Sequence, residues 1–167
     1  MTQPSTQALF DQYVIGNYGR FPIALERGEG CRVWDEAGKE YLDFGAGIAV
    51  CALGHSHPRM TAALHAQAQK LVHISNLYYN RPQGLLAQRL VQAVAHPGKV
   101  FFCNSGAEAN EGLYKLARKF GNDTRSPLAG QGIDYAHNRT EIITFEGSFH
   151  GRTLAGIAAT GQEKVKK

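Results

Sequence analysis

Apolar and polar positions divide the chain into helical-period stretches, one alternating stretch and two continuous apolar runs. The clearest helical period places Leu113, Leu116, Ala117 and Phe120 at i, i+3, i+4 and i+7, one face of a helix. Lys115, Arg118 and Lys119 fill its last turn, and Gly121 stands where helices commonly close. Two more helical faces are predicted, one from Leu64, Ala68, Leu71 and Val72, the other from Leu86, Leu90, Ala93 and Val94, stopped by Pro97-Gly98. The first eight residues are polar and expected to fray. Residues 9–18 predict a short helix ending at Gly16 or Gly19. Residues 32–35 and 40–44 flank Glu36-Ala37-Gly38-Lys39 and predict a hairpin. Gly45-Ala46-Gly47 then predicts close backbone approach or an unusual φ. This front third reads as a small β-rich element that packs on something else.

The continuous apolar runs, residues 100–103 and 141–145, predict buried strands. With the helix between them they form a βαβ unit, which expects a parallel sheet covered by helices on both faces. Ligands of such sheets sit beyond the C-terminal ends of the strands. The turn at Ser105 and the loop after Phe145 both emerge at that edge and are expected to face one cleft. Residues 122–139, rich in Gly, Asn, Asp and Ser, are long for a connection and predict an exposed excursion. Ser75-Asn76-Leu77-Tyr78-Tyr79-Asn80 is a polar-aromatic loop that suits a contact surface or a core plug.

Candidate chemistry concentrates in two loops. At Asn104-Ser105-Gly106 a strand feeds a helix through small residues, which leaves backbone N–H groups pointing outward at the positive end of the helix dipole. Ser105, Gly106 and Ala107 are the candidate phosphate holders. The same residues also read as a capping box, with the Ser105 hydroxyl on a helical N–H and the Glu108 carboxylate reaching back to the Ser105 N–H. In the second loop, Phe149 suits the face of a planar ligand and Arg152 a bidentate clamp on a carboxylate. Each has a plainer alternative, Phe149 as a buried loop anchor and Arg152 as a surface partner for an acid. Taken together, a phosphate cradle, a stacking ring and a carboxylate clamp describe a site for pyridoxal 5′-phosphate and an amino-acid substrate. His55-Ser56-His57 invites a metal reading, but no third ligand stands at useful spacing; a loop leading into a helix with Pro58 near its first position explains it better.

Composition narrows the classes. The 167 residues suffice for a sizeable core, and 43% hydrophobic with 19% charged residues is the balance of a soluble globular chain. No apolar run is long enough to span a membrane and no basic-then-apolar leader opens the sequence, so the cytoplasm is the expected location. Cys31, Cys51 and Cys103 are odd in number and widely separated, which suggests reduced thiols and neither a disulfide framework nor a zinc site. The net charge of +4 suits an anionic ligand, but aromatics do not interleave with basic residues as on a nucleic-acid surface.

The order of motifs resembles the class III pyridoxal-phosphate-dependent aminotransferases over residues 18–163. The resemblance rests on residues 35–54, Gly54-His55-Ser56-His57-Pro58, Asn104-Ser105-Gly106-Ala107-Glu108-Ala109-Asn110, Ser148-Phe149-His150-Gly151-Arg152-Thr153 and Ala159-Thr160-Gly161-Gln162-Glu163-Lys164. It implies an α/β chain that begins the type I pyridoxal-phosphate transferase fold: a small β-rich N-terminal segment, residues 1–53, then the first part of a parallel-sheet cofactor domain, residues 54–167. It also implies phosphate on Gly106 and Ala107 with Ser105 beside them, Phe149 on the pyridine ring, and Arg152 on the substrate α-carboxylate. The implied reactants are an amino acid and a 2-oxo acid. The donor expected is N-acetylornithine, with ornithine, succinylornithine or 4-aminobutyrate as alternatives. A homodimer is implied, with residues 75–80 approaching the neighbouring subunit's site. Family members run to more than twice this length, and their Schiff-base lysine and ring-nitrogen carboxylate lie beyond the stretch represented here. No catalytic residue is therefore assigned in this chain, which is expected to be inactive alone. A non-catalytic module retaining the phosphate cradle is the competing reading from another class.

Overall fold

In the computed structural model, which describes residues 4–122 and 140–166, the chain forms two units, Met1–Asn80 and Arg81–Lys167. The first begins with α1, Thr6–Tyr13. The Ser5 hydroxyl accepts from the Ala8 N–H at 3.3 Å, so the helix starts within the stretch expected to fray. It also stops sooner than expected. Val14 is already extended, at φ −113° and ψ 129°, consistent with the poor helix preference of the β-branched pair Val14-Ile15.

A three-stranded antiparallel sheet follows, in the order β1 (Leu25–Glu29), β2 (Arg32–Asp35), β3 (Glu40–Leu42). The β2–β3 hairpin turns where the sequence places it. The Asp35 carboxylate accepts from the N–H groups of Ala37 and Lys39 at 3.0 and 2.9 Å, while Gly38 supplies the positive φ of +80°. Tyr41 donates its hydroxyl to the other oxygen of Asp35 at 2.8 Å. The unexpected strand is β1, which pairs with β2 through a bulge between Leu25 and Arg27. Val33, at the centre of β2, is buried.

The Gly45-Ala46-Gly47 stretch does adopt an unusual conformation. The short turn α2, Ala46–Ala49, is left-handed, with φ of +45° at Ala46, +60° at Gly47, and +62° at Ile48 and Ala49. Asp43 anchors its entry, accepting from the N–H groups of Gly45 and Ala46 at 3.0 and 2.8 Å. The His55 ring closes on the second Asp43 oxygen at 2.7 Å, and the His55 backbone bridges Gly30 in both directions. Accordingly, His55 ties the sheet to the turn, and His57 precedes α3, Pro58–Ala68, with Pro58 in its first turn. A 3-10 turn, Ser75–Leu77, opens the polar-aromatic loop, in which Tyr78 and Tyr79 are exposed.

The second unit contains α4 (Arg81–Val94), α5 (Gly106–Asn122), α6 (Leu154–Ala159) and α7 (Glu163–Lys166). The faces predicted on α4 and α5 are helical, whereas α3 ends at Ala68, short of Leu71 and Val72 of the face predicted there; Leu113, Leu116 and Phe120 remain exposed. The sequence predicts buried parallel strands at residues 100–103 and 141–145. They run without a ladder, and Phe101, Ile143 and Phe145 are exposed. A parallel strand is stabilised by neighbours on both sides and helices on both faces. The two segments do not pair with each other, and the described residues supply no other neighbour. Most of the predicted excursion, residues 123–139, lies outside the described residues.

Candidate cofactor site

Ser105 sits immediately before α5 and begins it. Its hydroxyl accepts from the Glu108 N–H at 3.2 Å and its carbonyl from the Ala109 N–H at 3.0 Å. Glu108 completes the box one residue earlier than expected, accepting from the Asn104 N–H rather than from Ser105. This turns the carboxylate back along the incoming chain. The N–H groups of Gly106 and Ala107, in the first turn of a 17-residue helix, have no hydrogen-bond partner among the described residues. The space where a Gly106 Cβ would stand is open to 4 Å. Two free donors, the positive end of a helix dipole and open space beside them suit a dianionic phosphate.

The second loop is laid against this same turn. Gly151 adopts φ +101°, and a Cβ added there would stand 2.7 Å from Ala107 Cβ and 2.9 Å from Ala107 Cα. One residue earlier, the His150 carbonyl accepts from the Asn110 side-chain amide at 2.9 Å, and the His150 ring lies 6.1 Å from that of Tyr114. Asn110 and Tyr114 are one turn apart on α5, so a single helix carries both the candidate phosphate turn and the seat of the second loop. Phe149 is 55% exposed and Arg152 is also exposed, which leaves both side chains accessible to a ligand. Thr153 then caps α6, accepting from the Gly156 N–H at 3.2 Å.

The far side of the loop is held as firmly. Thr160 is 2% exposed and donates its hydroxyl to the Ser148 carbonyl at 2.8 Å; the Gly161 N–H donates to the same carbonyl at 3.1 Å. Gly161 packs on Gly147 so closely that a Cβ would meet the Gly147 nitrogen at 2.3 Å. Asn110, Thr160 and Gly161 are supporting residues that a reading of single motifs passes over. Their signal was membership in the two family-like stretches 104–110 and 159–164, without any pattern that gave them a role.

An open groove of about 570 Å³ lies elsewhere in this unit, lined by Tyr114, Arg118, Ile142, Ile143, Ala155 and Ala159, and contains none of the five candidate residues. The candidate site is therefore an open face formed by the first turn of α5 and the loop of residues 147–152.

This helix-terminal turn and its docked glycine loop lie within a stretch that matches a known family. The description "Aminotransferase class-III" matches residues 13–167, and the chain belongs to that family. Among relatives, the chain is 54% identical to acetylornithine aminotransferase of a Nostoc species, over 99% of this chain and 36% of that protein. It is 55% identical to acetylornithine aminotransferase of Thermosynechococcus vestitus, over 98% of this chain and 37% of that one. Among solved structures, ornithine aminotransferase from Toxoplasma gondii matches with a TM-score of 0.83 at 31% identity, covering 95% of this chain and 35% of its own. N-acetylornithine aminotransferase from Stenotrophomonas maltophilia matches with a TM-score of 0.69 at 46% identity, covering 86% and 35%. The chain thus spans little more than a third of the length of these relatives.

Proposed function

We propose that this chain is the N-terminal part of a pyridoxal-phosphate-dependent aminotransferase that moves the amino group of N-acetylornithine to 2-oxoglutarate, a reaction of arginine biosynthesis, in the cytoplasm and as a homodimer. Residues 1–53 belong to the small domain and residues 54–167 to the first part of the cofactor domain. The observation that carries the cofactor assignment is the pair of unpartnered N–H groups at Gly106 and Ala107, seated against a loop that exposes Phe149 and Arg152. The donor set fits: backbone amides and a helix dipole for a phosphate, an exposed aromatic face for a pyridine ring, and a guanidinium for a carboxylate. When bound, pyridoxal 5′-phosphate supplies an electron sink for the charge that develops as an amino acid loses its α-proton.

In this reading Gly106 and Ala107 hold the phosphate, with the Ser105 hydroxyl beside them. Phe149 covers one face of the ring. Arg152 orients the α-carboxylate, which N-acetylornithine shares with ornithine and succinylornithine, so Arg152 sets the class of donor and not the choice within it. Support for N-acetylornithine is the roughly half identity to acetylornithine aminotransferases across the chain. No residue of this chain is assigned as the catalytic base. The test is amino transfer from N-acetylornithine, ornithine, succinylornithine and 4-aminobutyrate to 2-oxoglutarate by the protein purified from its natural source. Preference for N-acetylornithine is expected, and turnover of 4-aminobutyrate alone contradicts the assignment. The purified 167-residue chain is expected to give no turnover, and measurable turnover by it contradicts that part.

A further inference from the structure

Phe149 has a feature its exposure alone does not explain. The Phe149 ring is 55% exposed, yet the backbone carbonyls of the residues before and after it, Ser148 and His150, are both tied down. The Ser148 carbonyl, immediately before Phe149, accepts from the Thr160 hydroxyl and the Gly161 N–H. The carbonyl of His150, one peptide group beyond Phe149, accepts from the Asn110 side chain. Thr160 is the most buried side chain among the described residues, which is unusual for a small polar residue unless its hydroxyl is used. Its hydroxyl oxygen also accepts from the Gln162 N–H at 3.4 Å. Asn110 stands on α5, the helix whose first turn offers the Gly106 and Ala107 amides. The Ser148 hydroxyl is itself occupied, donating to the Phe145 carbonyl and meeting the His150 ring at 3.1 Å.

We infer that Thr160 and Asn110 are positioning residues for the cofactor ring: together they fix the backbone on either side of Phe149 and so set its distance and tilt above the phosphate turn of α5. The inference rests on the proposed role of Phe149 as the stacking residue. Three contacts reference the loop to that helix and to the following turn: Asn110 on the His150 carbonyl, Gly151 against Ala107, and Thr160 on the Ser148 carbonyl. Stacking depends steeply on ring offset, and a side chain without packing inherits its offset from its backbone. Loss of either clamp lets the ring drift while leaving the α5 amides untouched.

The test compares Thr160→Val, Thr160→Ser, Asn110→Ala and Phe149→Ala in the cofactor-binding protein. Affinities for pyridoxal 5′-phosphate and for inorganic phosphate are measured by titration, together with the visible circular dichroism of the bound cofactor. Thr160→Val and Asn110→Ala are each expected to weaken the cofactor by about tenfold, the scale of one lost hydrogen bond at a positioned group, and to reduce the dichroic band. Phosphate affinity is expected to stay unchanged, and Thr160→Ser to restore both cofactor readouts. A merely structural role for Thr160 or Asn110 lowers phosphate and cofactor affinity together, and that outcome overturns the inference. Should Thr160→Val fail to fold, Asn110→Ala carries the comparison alone. Unchanged cofactor affinity in both clamp variants, with Phe149→Ala weakened, overturns the clamp and leaves the stacking role standing. Unchanged affinity in Phe149→Ala overturns both.

Discussion

Gly151→Ala is the substitution whose cost the structure specifies most fully. Gly151 adopts φ +101°, where any other residue is disfavoured by about 1–2 kcal/mol. The new methyl would stand 2.7 Å from Ala107 Cβ and 2.9 Å from Ala107 Cα. Carbon atoms prefer a separation of about 3.5–4.0 Å, so the loop and α5 must move apart. Overpacking of this kind costs about 1–3 kcal/mol. The loop has little freedom to yield, because the adjoining His150 carbonyl is bonded to Asn110. The two contributions give a destabilisation of about 2–5 kcal/mol, measured as a shift in urea midpoint at constant slope. The double variant Ala107→Gly/Gly151→Ala removes the nearer clash and leaves the positive φ. It is expected to recover about 1 kcal/mol relative to the sum of the single variants, as contacting sites do. A loss below about 0.5 kcal/mol for Gly151→Ala, the scale of an ordinary surface change, refutes the claimed seating of the loop on the helix.

Three further outcomes are expected. Ser105→Ala removes the acceptor of the Glu108 N–H and should cost about 1 kcal/mol in the same unfolding assay. The His55 ring and the N–H groups of Ala46 and Gly45 hold the Asp43 carboxyl below its usual 3.8, as the Tyr41 hydroxyl and the turn N–H groups hold Asp35. Charged Asp35 and Asp43 thus contribute stability that is fully present above pH 3.8 and lost as pH falls through their lower folded values; acid titration of the Ala37, Lys39 and Ala46 amides by NMR should show it, and Asp35→Asn should abolish the Ala37 and Lys39 part. At the alkaline end the same Asp35 bond pushes the Tyr41 hydroxyl above 10.0, so its contribution is present below that value and disappears as pH rises through the raised one; absorbance titration of the phenolate in wild type and Asp35→Asn checks this.

Local rules were legible in the sequence, and contacts between distant residues were not. The helix α5 follows from four apolar positions and a serine, because caps and periodicity act within a single turn. The β2–β3 hairpin follows from Asp35 and Gly38 for the same reason. By contrast, β1 runs Leu-Glu-Arg-Gly-Glu, with no alternation to reveal it, and exists through its register with β2. The apolar runs at residues 100–103 and 141–145 read as strands because buried strands have that composition, but a ladder needs neighbours that composition cannot provide. At the candidate site, Ser105, Gly106, Ala107, Phe149 and Arg152 stood out by residue type. Asn110 and Thr160 did not, since their roles depend on carbonyls 40 and 12 residues away. Spacing places Glu108 in the right motif but on the Ser105 N–H, whereas it accepts from the Asn104 N–H, a one-residue difference that spacing does not resolve.

The central claim is that the first turn of α5 holds the phosphate of the cofactor. Pyridoxine 5′-phosphate and pyridoxine test it most directly, because neither carries an aldehyde able to react with lysines elsewhere and they differ only in the phosphate. Their affinities for the protein should be measured by isothermal titration, with Gly106→Pro as the control that removes one of the two free N–H donors. The account predicts binding that depends on the phosphate, at least tenfold tighter for pyridoxine 5′-phosphate, the scale of one charge-assisted hydrogen bond at about 1.4 kcal/mol, and a corresponding loss in Gly106→Pro. Equal affinity for the two compounds, or a preference that survives Gly106→Pro, contradicts it.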